Sequence, residues 1–160
     1  MKAMTYEEAV VQILPGIYRH FKGNYYEVLS IARHSETTEP MVVYRALYGD
    51  GGVWVRPAAM WNEMVDRNGK TSPRFHLLNR EERIMFYEGI FDELLAADPD
   101  SAQAGMQNQL RILNDYYVSG QWQEDYEADE AGLLPSGLKR GVLSQDGVFD
   151  LLEKWQAKEE

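Results

Sequence analysis

The side-chain pattern of this chain changes its period near residues 78–80, and that change constrains the fold more than any other feature. Before it, residues 24–33 and 41–48 are rich in aromatic and β-branched side chains and are bounded by glycine or proline, which is typical of strands. After it, apolar residues recur three or four positions apart, as in amphipathic helices. We therefore predict an α+β chain of two domains, residues 1–79 and residues 80–160.

The first domain is predicted to be a small SH3-like β-barrel with an N-terminal helix. Thr5 and Glu8 have the spacing of a capping box, which indicates that a helix begins there. Turns rich in glycine and polar residues join the long strands, and residues 53–56 add a short strand. A helical turn over residues 58–64 and a closing strand over residues 74–78 complete an order of elements that suits such a barrel.

The second domain is predicted to be an all-α helical bundle. Asn79 occupies an N-cap position before a long apolar stripe, which indicates a first helix. A second helix is expected over residues 101–117, because apolar residues fall on one helical face there. Ser119 and Ser144 can cap two more helices, which we expect to reach residue 129 and about residue 157.

The charge of the chain is divided unevenly between these domains. Residues 1–79 carry 9 basic and 8 acidic side chains, whereas residues 80–160 carry 7 and 18, so the net charge of −10 divides into +1 for the first domain and −11 for the second. An acidic surface repels phosphate backbones, which makes nucleic-acid binding by the whole chain unfavourable. Residues 1–14 lack the apolar core of a signal peptide, and we expect an acidic cytoplasmic protein that does not contact a membrane.

Five short motifs in the first domain carry a resemblance to a known family. They are YRHFKG at residues 18–23, ARHSE at 32–36, VVYRALY at 42–48, WVRP at 54–57 and RF at 74–75. Together they closely resemble the bacterial family called domain of unknown function sixteen fifty-three, over residues 16–78. The resemblance implies an SH3-type barrel, and it implies no activity and no catalytic residues.

The second domain also resembles a family of unknown function. The motifs are DYY at residues 115–117, Trp122, Asp125 and above all LKRGVLSQD at residues 138–146. They resemble the family called domain of unknown function forty-two ninety-eight, over residues 85–155. The resemblance implies a helical domain without known chemistry.

The strongest candidate for a binding site lies on the fourth predicted strand. Alternation places Trp54 and Arg56 on one face of this strand and Val53 and Val55 on the other, and we expect the two valines to belong to the core. Tryptophan beside arginine is a composition typical of recognition surfaces. Three further arginines, on elements that could flank this face, complete the predicted ligand-binding set: Arg19, Arg33 and Arg45.

We therefore predict a binding protein without enzymatic activity that recognises a peptide, a protein or a small anionic ligand through the Trp54/Arg56 face. One alternative is that the helical domain covers this face. A second is a small hydrolase or transferase in which His34 and Glu36 act as an acid–base pair, although local hydrogen bonds that fix the turn would also account for His34. A third is single-strand nucleic-acid binding by the barrel.

No cofactor or metal site is predicted. The chain has no cysteine, and the acidic run at residues 124–130 lacks the glycine of a calcium loop. We interpret this run as a solvated helix face. Lys139 and Arg140, just before the Ser144 cap, could hold an anion, but pairing with the acidic run is the expected arrangement.

Overall fold

The computed structural model of the chain describes residues 3–101 and 105–159. Contacts divide the chain into two compact units, Met1–Leu78 and Asn79–Glu160. The first unit contains α1 (Tyr6–Gln12), β1 (Gly16–His20), β2 (Tyr25–Arg33), β3 (Pro40–Ala46), β4 (Val53–Pro57), α2 (Ala58–Trp61), β5 (Met64–Arg67), β6 (Lys70–Pro73) and β7 (Phe75–Leu77). The second contains α3 (Arg80–Ala96), α4 (Met106–Tyr117), α5 (Gly120–Glu130) and α6 (Gln145–Glu159), with short 3-10 turns at Pro99–Ser101 and Gly141–Leu143. The mixed α+β class is confirmed.

The sheet of the first unit is antiparallel and has the strand order β4-β3-β2-β1-β7. Its two edge strands do not pair with each other, so the closed barrel expected from the sequence is not formed by the strands that the structure describes. A β-bulge between Val28 and Ser30 shifts the β2–β3 register and allows the long strand to bend.

One face of this sheet, which we call the inner face, carries the core. Val42 and Tyr44 of β3 lie on it, and the β2–β3 register places Ile31 and Val28 beside them. The α1 and α2 helices supply residues that pack onto the same core. The buried cluster consists of Ala9, Ile13, Tyr18, Val28, Val42, Ala58, Trp61 and Phe75.

The orientation of β4 differs from the sequence-based expectation. Val42 pairs with Arg56 and Tyr44 pairs with Trp54, and directly opposite residues share a face of an antiparallel sheet. Trp54 and Arg56 therefore lie on the inner face. The prediction that Val53 and Val55 belong to the core is wrong, because these side chains are 51% and 62% exposed.

The β5–β6 hairpin forms a separate two-stranded sheet that the sequence analysis missed. Asn68 and Gly69 make its turn with φ angles of 54° and 79°. An Asn-Gly pair accepts positive φ at both central positions and is a strong hairpin signal, so this element was predictable from the sequence.

The helices of the second unit begin at the predicted caps. Asn79 accepts a hydrogen bond from the Glu82 amide while the Glu82 carboxylate accepts one from the Asn79 amide, which completes a capping box. Ser119 caps α5 through the Trp122 amide. The expected second helix is shorter than predicted, since α4 begins at Met106, and residues 102–104 of its predicted range lie outside the described residues.

The interpretation of residues 124–130 as a solvated helix face holds for Glu124, Glu127 and Glu130, which are exposed, but it is wrong for Asp125, which belongs to a buried ion-pair network. Asp125 of α5 is fully buried. Its carboxylate accepts hydrogen bonds from Arg83 Nε at 2.9 Å and from the Tyr116 hydroxyl at 2.6 Å, and Arg80 Nε lies 3.3 Å away. Burial raises the pKa of Tyr116 above its ordinary value, and the hydrogen bond to Asp125 and the negative charge of Asp125 raise this pKa further.

Among residues 3–101 and 105–159, no helix combines the length and the apolar character that crossing a membrane requires.

Candidate functional site

The inner face of the sheet brings together aromatic and cationic side chains near Phe75. Trp61 of α2 stacks on the Phe75 ring with centroids 3.7 Å apart, and Tyr44 contacts Trp61 at 5.0 Å. Arg56 on β4 places its Cζ 5.9 Å from the Phe75 centroid. Since β4 and β7 are opposite edges of the sheet, this contact shows that the sheet curls until its edges approach each other.

Three buried N–H groups belong to side chains that contact Phe75 or precede it in the sequence, and we call them the donor cluster. They are Arg56 Nε, Trp61 Nε1 and Arg74 Nε, and none has a hydrogen-bond partner among the described residues. All three are obligate donors, and an unsatisfied buried donor costs about 1–3 kcal/mol. Each of these donors would be satisfied by a group that offers an oxygen acceptor.

Cations surround the neighbouring imidazole of His20. Its pKa is lowered by burial first, then by the positive charges of Arg74, Lys22 and Arg56. The Lys22 amide donates a hydrogen bond to His20 Nδ1 at 3.2 Å, so Nδ1 already serves as an acceptor in the neutral ring. The charge of Arg74 is partly balanced by Glu63, whose Oε2 lies 3.2 Å from Nη2.

Tyrosines that contact one another also lie at the inner face. The Tyr26 hydroxyl lies 2.8 Å from the Tyr48 hydroxyl, and the Tyr26 ring contacts the Tyr44 ring at 5.5 Å. Burial and the contact with Tyr48 raise the pKa of Tyr26 to about 12. Tyr26 therefore stays protonated at neutral pH and cannot act there as a general base.

The predicted ligand-binding arginines are divided between different places. Arg56 shares the inner face with Trp54, but Arg45 pairs with Val53 and Arg19 pairs with His76, on the opposite face. Arg33 lies at the far end of β2, where its guanidinium packs 3.8 Å from the ring centroid of Tyr6 on α1. The geometry thus brings together only Trp54 and Arg56 of the predicted set.

His34 and Glu36 lie in the β2–β3 turn. His34 Nδ1 accepts hydrogen bonds from the Glu36 amide at 3.1 Å and from the Thr37 amide at 3.3 Å. The backbone of Glu36, and not its exposed carboxylate, makes this contact. The imidazole thus fixes the turn, with one of its two nitrogens committed to the backbone.

The three histidines do not converge on one point: His20 and His76 lie on neighbouring strands and line one shallow cavity, and His34 is elsewhere. The β1–β7 register places His20 opposite Phe75 on the inner face and His76 opposite Arg19 on the other, while His34 is in the β2–β3 turn. The described part of the chain contains no group of three or more histidine, aspartate or glutamate side chains that could hold a metal ion.

Lys139 and Arg140 are both paired with acids in the second unit. Arg140 Nη1 contacts Asp129 Oδ1 at 2.6 Å, and Lys139 Nζ contacts Asp92 Oδ2 at 2.6 Å. Arg140 also donates to the carbonyls of Leu138 and Pro135. The expected pairing with the acidic run is therefore confirmed for Arg140, whereas Lys139 pairs with Asp92 of α3 instead.

His20, Trp61 and Arg74 were missed as site residues by sequence reasoning. They come from β1, from α2 and from the residue before β7, and only the curl of the sheet brings them near Arg56. The alternation of side chains along a strand would have placed His20 and Phe75 on the same face, provided that the pairing of β1 with β7 had been predicted first.

Comparison with known proteins gives two family matches and one solved structure. Residues 16–77 match the family described as protein of unknown function (DUF1653), and residues 101–158 match the domain of unknown function DUF4298, which confirms both predicted resemblances and their order. A crystal structure of a DUF1653 protein from Bordetella bronchiseptica is 41% identical, with 43% of this chain and 91% of that chain covered and a TM-score of 0.41. No curated protein matches the chain.

Proposed function

We propose that the first unit is a non-enzymatic module that binds a small anionic ligand. The chain belongs to the family described as protein of unknown function (DUF1653). The observation that carries the proposal is the donor cluster: Arg56 Nε, Trp61 Nε1 and Arg74 Nε are buried without acceptors. An ionised carboxylate offers only acceptor oxygens, and a phosphate offers at least two unprotonated oxygens, so either anion would satisfy such donors while balancing their charge.

The electrostatics near the donor cluster support an anion over a neutral ligand. Three cations, Arg74, Lys22 and Arg56, lie close enough to His20 to lower its pKa. The carboxylate that contacts Arg74 is that of Glu63, and it is itself partly exposed. Charge-assisted hydrogen bonds to a bound anion are about twice as strong as neutral ones.

The same surroundings make acid–base catalysis at this site unfavourable. Burial and nearby cations lower the pKa of His20, which favours its neutral form, and its Nδ1 already accepts a hydrogen bond from the backbone. Tyr26 has a pKa of about 12, so it holds its proton. His34 uses Nδ1 to fix a turn. These features support binding as the function.

We also infer that the sheet is an SH3-like barrel left open between β4 and β7. The approach of Arg56 to Phe75 across this opening supports the inference, because the two residues belong to opposite edges. The donor cluster then lies at the mouth of the unclosed barrel, a location where small-molecule sites are common.

The test compares arginines on the two faces of the sheet. Inorganic phosphate and citrate are titrated into the full chain and into Arg56→Gln and Arg45→Gln, at constant ionic strength, with binding measured by calorimetry and the melting temperature recorded. At a hundredfold excess over Kd, a bound anion stabilises the first unit by about 2.7 kcal/mol. We expect this gain in wild type and in Arg45→Gln, and its loss in Arg56→Gln.

General exclusion of phosphate or citrate from protein surfaces also stabilises folded chains, but it acts equally on all three proteins. Only the difference between Arg56→Gln and Arg45→Gln reports the site. Absence of binding heat for both anions at millimolar concentration, or equal binding by the two variants, would refute the proposed function.

A further inference from the structure

Trp54 stands out among the tryptophans because it is exposed. Its side chain is 61% accessible, whereas Trp61, Trp122 and Trp155 are all buried. The indole lies close to Gly52, because a Cβ atom built on that glycine would be 3.4 Å from Trp54 Nε1. The ring is thus held against the backbone on one side of the strand while much of its surface remains available for stacking.

The exposed indole adjoins the donor cluster. Trp54 and Arg56 are two residues apart on the inner face, which separates their Cα atoms by about 6.8 Å along an antiparallel strand. Arg56 contributes a buried, unpaired Nε to the donor cluster. A ligand bound at Arg56 could therefore reach Trp54 through a linker of only a few bonds.

Further aromatic rings continue this surface across the sheet. Tyr44 lies directly opposite Trp54 on β3, its ring contacts Tyr26, and the Tyr26 hydroxyl bonds that of Tyr48. We call Trp54, Tyr44, Tyr26 and Tyr48 the aromatic strip. Tyr44 and Tyr26 pack against the core, whereas Trp54 and Tyr48 are 61% and 46% exposed, and exposed aromatic rings bind planar groups by stacking.

We infer that the ligand carries a planar heteroaromatic ring joined by a short linker to its anionic group, as in a nucleoside monophosphate. The ring stacks on Trp54, and the anion contacts Arg56. This inference rests on the proposed function, which requires the anion alone. It adds that the ring supplies affinity and selectivity, since stacking of a base on an aromatic side chain is worth about 1–3 kcal/mol, or roughly fivefold to 150-fold in affinity.

The test separates the ring from the anion with three probes: adenosine 5′-monophosphate, adenosine and inorganic phosphate. Each is titrated by calorimetry into the full-length wild-type protein, Trp54→Ala and Val55→Ala. Val55 is the matched control, because it neighbours Trp54, is 62% exposed and lies on the opposite face. We expect the nucleotide to bind wild type at least about fivefold more tightly than phosphate.

In Trp54→Ala, the advantage of the nucleotide over phosphate should disappear while the affinity for phosphate stays unchanged. Val55→Ala should retain the advantage, and equal melting temperatures would show that both variants are folded. Equal affinities of wild type for the nucleotide and phosphate would overturn this inference but leave the proposed function standing. Binding of neither the nucleotide nor phosphate would overturn both.

Discussion

Replacing Asp125 by alanine should destabilise the second unit more than the loss of any exposed ion pair. Asp125 is 0% exposed and accepts hydrogen bonds from Arg83 and Tyr116. The Arg83 side chain is only 14% exposed, so removing the carboxylate leaves a charge nearly buried and unpaired. Breaking a buried pair in this way costs about 3–5 kcal/mol.

The matched control is Asp115→Ala, which removes an aspartate–arginine pair from the surface of the same unit. Asp115 contacts Arg111 at 3.0 Å, and its side chain is 53% exposed. Such an i,i+4 pair is worth about 0.3–0.5 kcal/mol.

Urea unfolding of the full chain, followed by tryptophan fluorescence, measures both losses. With an m-value of about 1.5 kcal/mol/M, the midpoint of the second unit should fall by about 2–3 M for Asp125→Ala and about 0.2–0.3 M for Asp115→Ala. Similar midpoints for the two variants would refute the reasoning that burial makes the difference.

Three further outcomes are expected. Trp155→Ala should lose about 3–5 kcal/mol of stability and Trp54→Ala less than about 0.5 kcal/mol in denaturant unfolding, since only Trp155 is buried; equal losses would contradict this. Because the pKa of His20 is lowered, the folded first unit binds fewer protons than the unfolded chain below about pH 6.5. Its melting temperature should therefore fall as pH drops through that range, and His20→Asn should flatten the profile while His76→Asn should not. Because the pKa of Tyr116 is raised, the second unit should lose stability as pH rises above about 10, and an unchanged slope in Tyr116→Phe would be inconsistent with this cause.

The helix starts were predictable because their signals are local. Thr5, Asn79 and Ser119 each accept a hydrogen bond from an amide three residues ahead, so the cap and its partner lie within one turn of sequence. Packing elsewhere in the fold does not change that contact.

The orientation of β4 was not predictable from alternation alone. Alternation separates Trp54 and Arg56 from Val53 and Val55, but it does not say which pair faces the core. Pairing with β3 decides this, because Val42, a core residue, lies opposite Arg56. Val53 and Val55 then lie on the face away from the core, where they are exposed.

The donor cluster also depends on long-range structure. Arg56 and Arg74 are separated in the sequence by α2 and the β5–β6 hairpin. Pairing of β1 with β7 brings Arg74 near His20, and the curl of the sheet brings Arg56 there. The burial of Asp125 was not predicted for a related reason. Its acidic neighbours suggested a solvated helix face, whereas its partner Arg83 lies on a different helix. Sequence spacing contains no signal for such pairs.

The boundary between Leu78 and Asn79 leads to a final prediction about independent folding. The Asn79 capping box lies entirely in the second unit, because its partner is Glu82. A fragment of residues 78–160 retains Leu78, so the Asn79 amide remains a peptide N–H that can donate to Glu82. We expect this fragment to show helical circular dichroism and a cooperative thermal transition.

Asn79→Ala then tests whether the fragment folds as it does in the full chain. Loss of an asparagine N-cap lowers the free energy of unfolding by about 1 kcal/mol. The loss is the same in the fragment and in the full chain if the capped helix is folded in the same way in both. If the second unit has its own core, the substitution should destabilise the fragment and the full chain by the same amount, because the cap contacts only its own helix. A featureless spectrum of the fragment, or a cost confined to the full chain, would mean that the helices need the first unit in order to fold, and the two-domain interpretation would be wrong.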